Sequence, residues 1–539
     1  MISNLIAAKM SWLSLSDSQL LDRLLSLVSS STFFQVSICA LVLSGIAARF
    51  KWARFRNIPL PPGPPATSWL SGHFSILPQT HQWEGYMEWA KTYGPVIYFR
   101  AFHQRTIVLS SHEDCAELLD KRSTLYSDRP VIPMVELLGW DFAAVFMPYG
   151  ARWRRQRRLF QKMFKKDMSL KYRSDQTRKV NDMLLALLDD PSGFRDHIKA
   201  VTAATIMSIT YNYDIKAKAD PFVHLVDSAA DVLAKAFLPG AAIVNVFPIL
   251  RFLPSWLPGT GFKKDIVEGR ELTSRMKEIP FRHAQDNIKA GTTLRSLVAD
   301  GLKTCNTDAE VQDLRDFAPM TYAAGAETTT AALETFFLVM ATNPDVQKKA
   351  QQEIDACVGD DRLPTYDDWS SLPYIEAIVR EVLRWRIVLP LSLPHCARED
   401  DIYKGYFIPK GTMILANVWA LTRDETRYKD SEAFRPDRFI DENGDLTEDE
   451  VDYVFGFGRR TCPGRHMARA SIFLAAARIL STFDIGYAKD KSGKDIPISG
   501  EYTSGLLSHP TEHACSITPR FDKAKRLIKE AVRQTKDRK

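Results

Sequence analysis

At 539 residues, with 45% hydrophobic and 25% charged side chains, the chain can bury a large core and lacks the composition of a disordered or collagen-like protein. Its net charge of +6 arises from three local basic runs, at residues 49–56, 151–166 and 521–539. That pattern excludes the basic stripe with interleaved aromatics of a nucleic-acid binder. Seven scattered cysteines (Cys39, Cys115, Cys305, Cys357, Cys396, Cys462, Cys515) form no C-x-x-C pair, which excludes a zinc ribbon and points to a reducing compartment; no N-x-S/T acceptor is present.

Residues 1–23 balance Lys9 and Arg23 against Asp17 and Asp22, and residues 24–48 carry no formal charge. As a helix at ~1.5 Å per residue, residues 24–48 span roughly 37 Å, enough for a ~30 Å bilayer core. Ser29, Ser30, Ser31 and Thr32 dilute the run, so a buried helix is the competing reading. Arg49, Lys51, Arg54 and Arg56 follow the run. A cleaved signal peptide carries its positive charges first. The positive-inside rule therefore predicts a luminal segment 1–23, a transmembrane anchor 24–48 and a cytoplasmic body. Residues 49–65 end in Pro59-Leu-Pro-Pro-Gly-Pro-Pro65, a stiff hinge that cannot continue a helix. Without an internal linker or repeat, residues 66–520 are expected to form one catalytic domain ahead of a basic tail, 521–539.

Within the body, Val96-Ile-Tyr-Phe99 and Thr106-Ile-Val-Leu109 predict a hairpin, and most of residues 112–390 carries helical periodicity. The fold class is mainly α with minor β. Residues 237–258 are apolar but interrupted by Pro239, Pro248, Pro254 and Pro258, so they predict no single long helix. They read either as a loop dipping into a membrane or as an irregular core segment.

The chemistry concentrates at Phe455-Gly-Phe-Gly-Arg-Arg-Thr-Cys462-Pro-Gly464. A thiolate that ligates iron needs backbone N–H groups aimed at its sulfur, and the glycines at 456, 458 and 464 permit close approach in left-handed or tight-turn conformations. The segment matches F-x-x-G-x-R-x-C-x-G, and the chain resembles the cytochrome P450 family of haem-thiolate monooxygenases. The resemblance implies the P450 fold, haem b and Cys462 as the axial metal ligand. On a helix, Phe317, Thr321, Ala324 and Thr328 share one face. The small pair Ala324-Gly325 leaves room there for a diatomic ligand, beside an acid and a hydroxyl in Glu327-Thr328. Ala324-Gly-Ala-Glu-Thr-Thr329 matches the family's A/G-G-x-D/E-T-T, which implies that Thr328 hydrogen-bonds dioxygen and Glu327 relays protons. Glu381-Val-Leu-Arg384 and Phe434-Arg-Pro-Asp-Arg438-Phe439 resemble the E-x-x-R and F-x-P-x-R-F segments that form a buried structural triad. By the same resemblance Trp153, Arg157, His395 and Arg460 are the expected partners of the haem propionates.

No flavin or nicotinamide fingerprint is present, so a separate electron donor is required: NADPH-cytochrome P450 reductase, with cytochrome b5 as a second candidate. Arg152, Arg154, Arg155, Arg158, Lys162, Lys165 and Lys166, with Arg459 and Arg465, are the expected docking face. The blocks S-L-P-Y, L-P-H and F-G-F-G-R-R-x-C-P-G are similar to those of fungal microsomal members, the O-methylsterigmatocystin oxidoreductase-like group. This resemblance implies the endoplasmic reticulum membrane and oxidation of a lipophilic secondary metabolite, such as a terpenoid or polyketide, or of an aromatic xenobiotic. Residues 134–146, 317–328 and 388–393 are the expected lining of the pocket. A haem-thiolate isomerase or dehydratase and a non-catalytic membrane haem protein are the alternatives.

Overall fold

The two short apolar runs pair as expected. β1 (Val96–Ala101) and β2 (Gln104–Leu109) form an antiparallel hairpin with Val96 opposite Leu109. Ile97, Phe99, Ile107, Val108 and Leu109 are buried. β3 (His395–Cys396) and β4 (Met413–Ala416) complete a four-stranded sheet in the order β1-β2-β4-β3, in which β4 runs parallel to β2. A second, two-stranded sheet joins β5 (Phe483–Tyr487) to β6 (Cys515–Pro519). The structure is a computed structural model that describes residues 58–216, 220–237, 243–257, 259–292 and 295–537. The predicted segments 1–23 and 24–48 lie outside the described residues. Among the described residues no helix is long and apolar enough to cross a membrane.

Helices make up most of the body, in keeping with the mainly α expectation. They include α1 (Ala151–Phe164), α2 (Arg173–Asp189), α3 (Phe194–Tyr211), α4 (Asp308–Thr342), α5 (Pro373–Trp385), α6 (Arg465–Thr482) and α7 (Asp522–Asp537). α4 is the central element. Thr307 caps its start by accepting from Glu310 N, and the helix runs for 35 residues through Pro319. Apolar side chains on all its faces, among them Leu314, Phe317, Leu333, Phe336, Phe337 and Met340, are buried, as a helix wrapped by others requires. α3 and α6 both pack against it, and α6 follows directly on the cysteine loop.

Two segments differ from the sequence reading, and at a third one of its two alternatives fails. Residues 61–65 lie on the sheet instead of forming a free spacer: Tyr98 N donates to Pro62 O at 2.8 Å, and a Cβ on Gly63 would sit 1.9 Å from Tyr98 O. Residues 522–537 of the basic tail form a docked helix, because Ala524, Leu527, Ile528 and Val532 recur at helical spacing and are buried. The described part of residues 237–258 contains one helical turn, Ile243–Val246, and a 3-10 turn, Pro248–Phe252, as the proline spacing dictates. Ile249 and Trp256 are 71% and 79% exposed there, so the core-segment reading fails for these side chains.

A separate small unit contains the hairpin of Asp401–Tyr403 with Tyr406–Ile408, where Asp401 stands opposite Ile408. Phe407 N donates to Pro59 O at 2.8 Å within that unit.

Candidate active site

Backbone geometry makes the cysteine loop. Gly456 and Gly458 have φ of +87° and +51°, in the left-handed region. A Cβ on Gly458 would stand 2.2 Å from Leu119 O, and its N–H donates to the Asp120 carboxylate. Glycine is therefore required at 458 by both conformation and contact. Gly464 takes the tight-turn alternative: at φ −84° it stands in the turn that leads into α6. Cys462 N donates to Phe455 O at 2.7 Å and closes the loop. Burial pushes the Cys462 thiol up, while N–H groups of Gly464 and Arg465 and the guanidinium groups of Arg157 and Arg465 pull it down. The sulfur thus sits at the positive end of α6. Burial raises the thiols of Cys396 and Cys515 to about 11 and about 12.

Guanidinium groups cluster beside this loop. Arg460 donates to Ser127 O, Ala144 O and Met147 O at 2.8, 3.0 and 2.7 Å and lies 4.4 Å above the Trp153 ring. Burial and the nearby Arg129 push its pKa down to about 8. Arg129, which the sequence reading missed, donates to Val145 O, Leu393 O and Pro394 O, and burial lowers it to about 10. Arg157 Nε is buried without a partner. His395 is buried on β3 with Nδ1 2.8 Å from Tyr126 O. Burial and the charges of Arg129 and Arg460 hold it well below its ordinary value, so it is neutral and offers hydrogen bonding rather than charge. Trp153, Arg157, Arg460 and His395 are therefore brought into one cluster. Three crowded guanidiniums and an orphaned buried N–H fit a group that carries two carboxylates.

On α4, Thr328 Oγ1 donates to Ala324 O at 2.7 Å and Thr321 Oγ1 to Phe317 O at 3.1 Å. Ala324 is exposed although Met320, Thr321, Tyr322 and Ala326 around it are buried, so open space faces this turn. Gly325 serves a different purpose from the one expected. A Cβ there would stand 2.9 Å from Ile206 Cδ1, so the glycine lets α3 approach, and Ala324 is the exposed member of the pair. Phe317 is buried against Phe160 of α1, with ring centroids 4.5 Å apart. Glu327 turns toward His509, whose Nε2 lies 3.3 Å from Glu327 Oε1.

The cytochrome P450 family model matches residues 61–515. The chain belongs to the cytochrome P450 family. It is 39% identical over 485 residues to cytochrome P450 monooxygenase 208 of Postia placenta, covering 89% of this chain and 94% of that protein. It is 38% identical over 502 residues to cytochrome P450 monooxygenase COX2 of Coprinopsis cinerea (91% and 95%), and 39% over 479 residues to cytochrome P450 monooxygenase ple1 of Rhodocybe pseudopiperita (87% and 91%). This cytochrome P450 is accordingly of the fungal type, a haem-thiolate monooxygenase whose cofactor is haem b with a cysteine thiolate as axial ligand.

The basic face of this P450 is smaller than its sequence suggests. Arg152 pairs with Asp316 at 3.1 Å and Arg155 with Asp313 at 2.7 Å, so both tie α1 to α4. Arg152 and Arg155 are also exposed, but only Arg154, Arg158, Lys162, Lys165, Lys166 and Arg459 are exposed with no acidic partner among the described residues, Lys162 donating to Thr304 Oγ1. Arg154 and Arg459 each lie 5.7 Å from the Tyr149 ring centroid, which joins the α1 charges to the cysteine loop. Asp313 and Asp316 stand at the start of α4, far along the chain, and no local pattern announced them.

Proposed function

We propose that this cytochrome P450 oxidises a lipophilic small molecule, a secondary metabolite or an aromatic xenobiotic, with electrons from an NADPH-dependent reductase that docks on Arg154, Arg158, Lys162, Lys165, Lys166 and Arg459. Bound haem b supplies reductive activation of dioxygen and insertion of one oxygen atom into a C–H or double bond, with water as the other product. Cys462 is the thiolate ligand. Arg157, Arg460 and Arg129, with Trp153 and His395, hold the propionates. Thr328 presents a hydroxyl beside Ala324 and positions a proton. Glu327 supplies that proton from the side of α4 that meets His509. The apolar residues of 134–146 and 388–393 exclude water from the substrate.

The observation that carries this reading is the convergence of the Gly464 and Arg465 N–H groups and the Arg157 charge on the Cys462 sulfur. Burial still leaves the free thiol above its ordinary value, and coordination to the haem iron would ionise it. The test is a screen of lipophilic compounds for the spectral shift that follows loss of water from ferric haem, then turnover of each hit with NADPH and reductase. Oxygenated product from a shifting compound supports the proposal. NADPH consumption that no compound alters refutes it.

The same protein is read as a single-pass protein of the endoplasmic reticulum, body toward the cytoplasm. Support comes from the charge-free run 24–48 and from a second apolar surface. Phe247 packs edge-on against Phe102, and Phe102 lies tilted against Phe74, with ring centroids 5.2 Å apart in both pairs. Around them Trp69, Leu70, Ile249, Phe252 and Trp256 are all exposed. An apolar surface of this extent suits a lipid interface.

A further inference from the structure

His509 lies in the loop ahead of β6, fixed by its own backbone. Its N–H donates to Thr503 Oγ1 at 3.0 Å and its carbonyl accepts from Thr503 N at 2.8 Å. The imidazole is thereby set along α4 between two carboxylates, with Nδ1 3.1 Å from Glu334 Oε2 and Nε2 3.3 Å from Glu327 Oε1. Residues seven apart share a helix face, about 10 Å along the axis. One ring spans that gap.

A neutral imidazole offers one N–H and one lone pair, and an ionised carboxylate only accepts. Nδ1 is hydrogen-bonded to Glu334 while Nε2 approaches Glu327 at 3.3 Å without a hydrogen bond, so a neutral ring that donates from Nδ1 would turn its Nε2 lone pair toward the Glu327 carboxylate. One further proton, shared among Glu327, His509 and Glu334, resolves the conflict. Glu334 is already countered by Arg195, whose Nη2 lies 3.0 Å from its Oε1 and whose Nη1 also donates to Thr511 O at 2.9 Å. On the other flank Lys199 feels Glu327 but is paired with Asp227 at 3.1 Å. A proton on Nε2 would face Glu327, the carboxylate of the two that has no guanidinium partner among the described residues.

We propose that His509 is a positioning residue that stores this proton and delivers it to Glu327. The proposal rests on the proton-supply role given to Glu327 above. In the delivery step the Nε2–H bond breaks and an Oε1–H bond forms, leaving a neutral ring. Solvent re-protonates His509, whose side chain is 17% exposed. Neither substrate nor cofactor is touched.

The test uses the full chain with reductase and a turned-over substrate, comparing His509→Gln and Glu327→Gln. His509→Gln is expected to lower product formed per NADPH roughly tenfold, less than the ~10²-fold of a direct proton donor, and to raise the solvent isotope effect on product formation. Independently of turnover, ring-nitrogen NMR of the diamagnetic ferrous carbon monoxide complex should show no bare nitrogen at His509. Uncoupling in Glu327→Gln alone, or a bare ring nitrogen in the wild type, overturns the proposal for His509. Unchanged coupling in Glu327→Gln overturns the underlying role of Glu327 instead.

Discussion

Arg384 holds Glu381 through two nitrogens: Nε lies 2.6 Å from Oε2 and Nη2 2.9 Å from Oε1, and neither side chain reaches solvent. Glu381 Oε1 also accepts from Arg438 Nε at 3.1 Å and from Arg435 N at 2.8 Å. Arg384 donates onward to Thr422 O and Ser431 O. One carboxylate therefore fastens α5 to the chain that leads into the cysteine loop.

Removing either partner leaves the other charge buried without compensation. Glu381→Gln or Arg384→Met should cost about 3–5 kcal/mol, read as a shifted denaturant midpoint and poor haem incorporation. Arg384→Lys should also fail, since a point charge cannot reproduce the two-pronged grip.

Cys462→Ser is expected to abolish the thiolate-type red-shifted band of the reduced carbon monoxide complex. Cys115→Ser and Cys396→Ser should keep it. A serine variant at 462 with the band intact would exclude that cysteine as ligand.

For Thr328→Ala the expected signature is loss of coupling without loss of binding. Haem spectrum and substrate-induced shift should stay nearly unchanged while NADPH oxidation continues with hydrogen peroxide released. Product per NADPH should fall by up to ~10²-fold, less if a water replaces the hydroxyl.

The split of the basic face gives two distinguishable outcomes. Changing Arg154, Arg158 and Lys166 together to glutamine should raise the reductase concentration for half-maximal turnover, with Tm unchanged. Arg155→Gln strips the buried Asp313 of its partner and should lower stability by about 1–3 kcal/mol.

Deleting residues 1–58 should weaken sedimentation with vesicles but not abolish it, because Ile249, Phe252 and Trp256 remain exposed. Adding Ile249→Ser and Trp256→Ser should release the shortened protein into the supernatant. Equal sedimentation of all three forms would contradict the lipid assignment.

Local patterns were legible where one stretch of chain makes its own geometry. The hairpin of β1 and β2, the proline-broken segment at 237–258 and the glycines before Cys462 all follow from residues within a few positions of each other. Contacts between distant segments were not. Gly325 matched a motif, yet its missing side chain admits Ile206. Arg155 read as a surface charge because its partner, Asp313, lies 158 residues away. His509 meets Glu334 across 175 residues, and Arg129 reaches Pro394 across 265. Spacing arguments cannot pair such residues, since the fold itself creates the proximity.

The last helix carries a consequence for how the protein is made. α7 packs on α2, where Asn181 Nδ2 donates to Ala531 O at 3.2 Å, and its Leu527 and Ile528 join the same apolar cluster as Val180 and Leu184. During synthesis α2 leaves the ribosome long before α7 does. That apolar surface stays uncovered, open to chaperones, until α7 has been made and can dock on it.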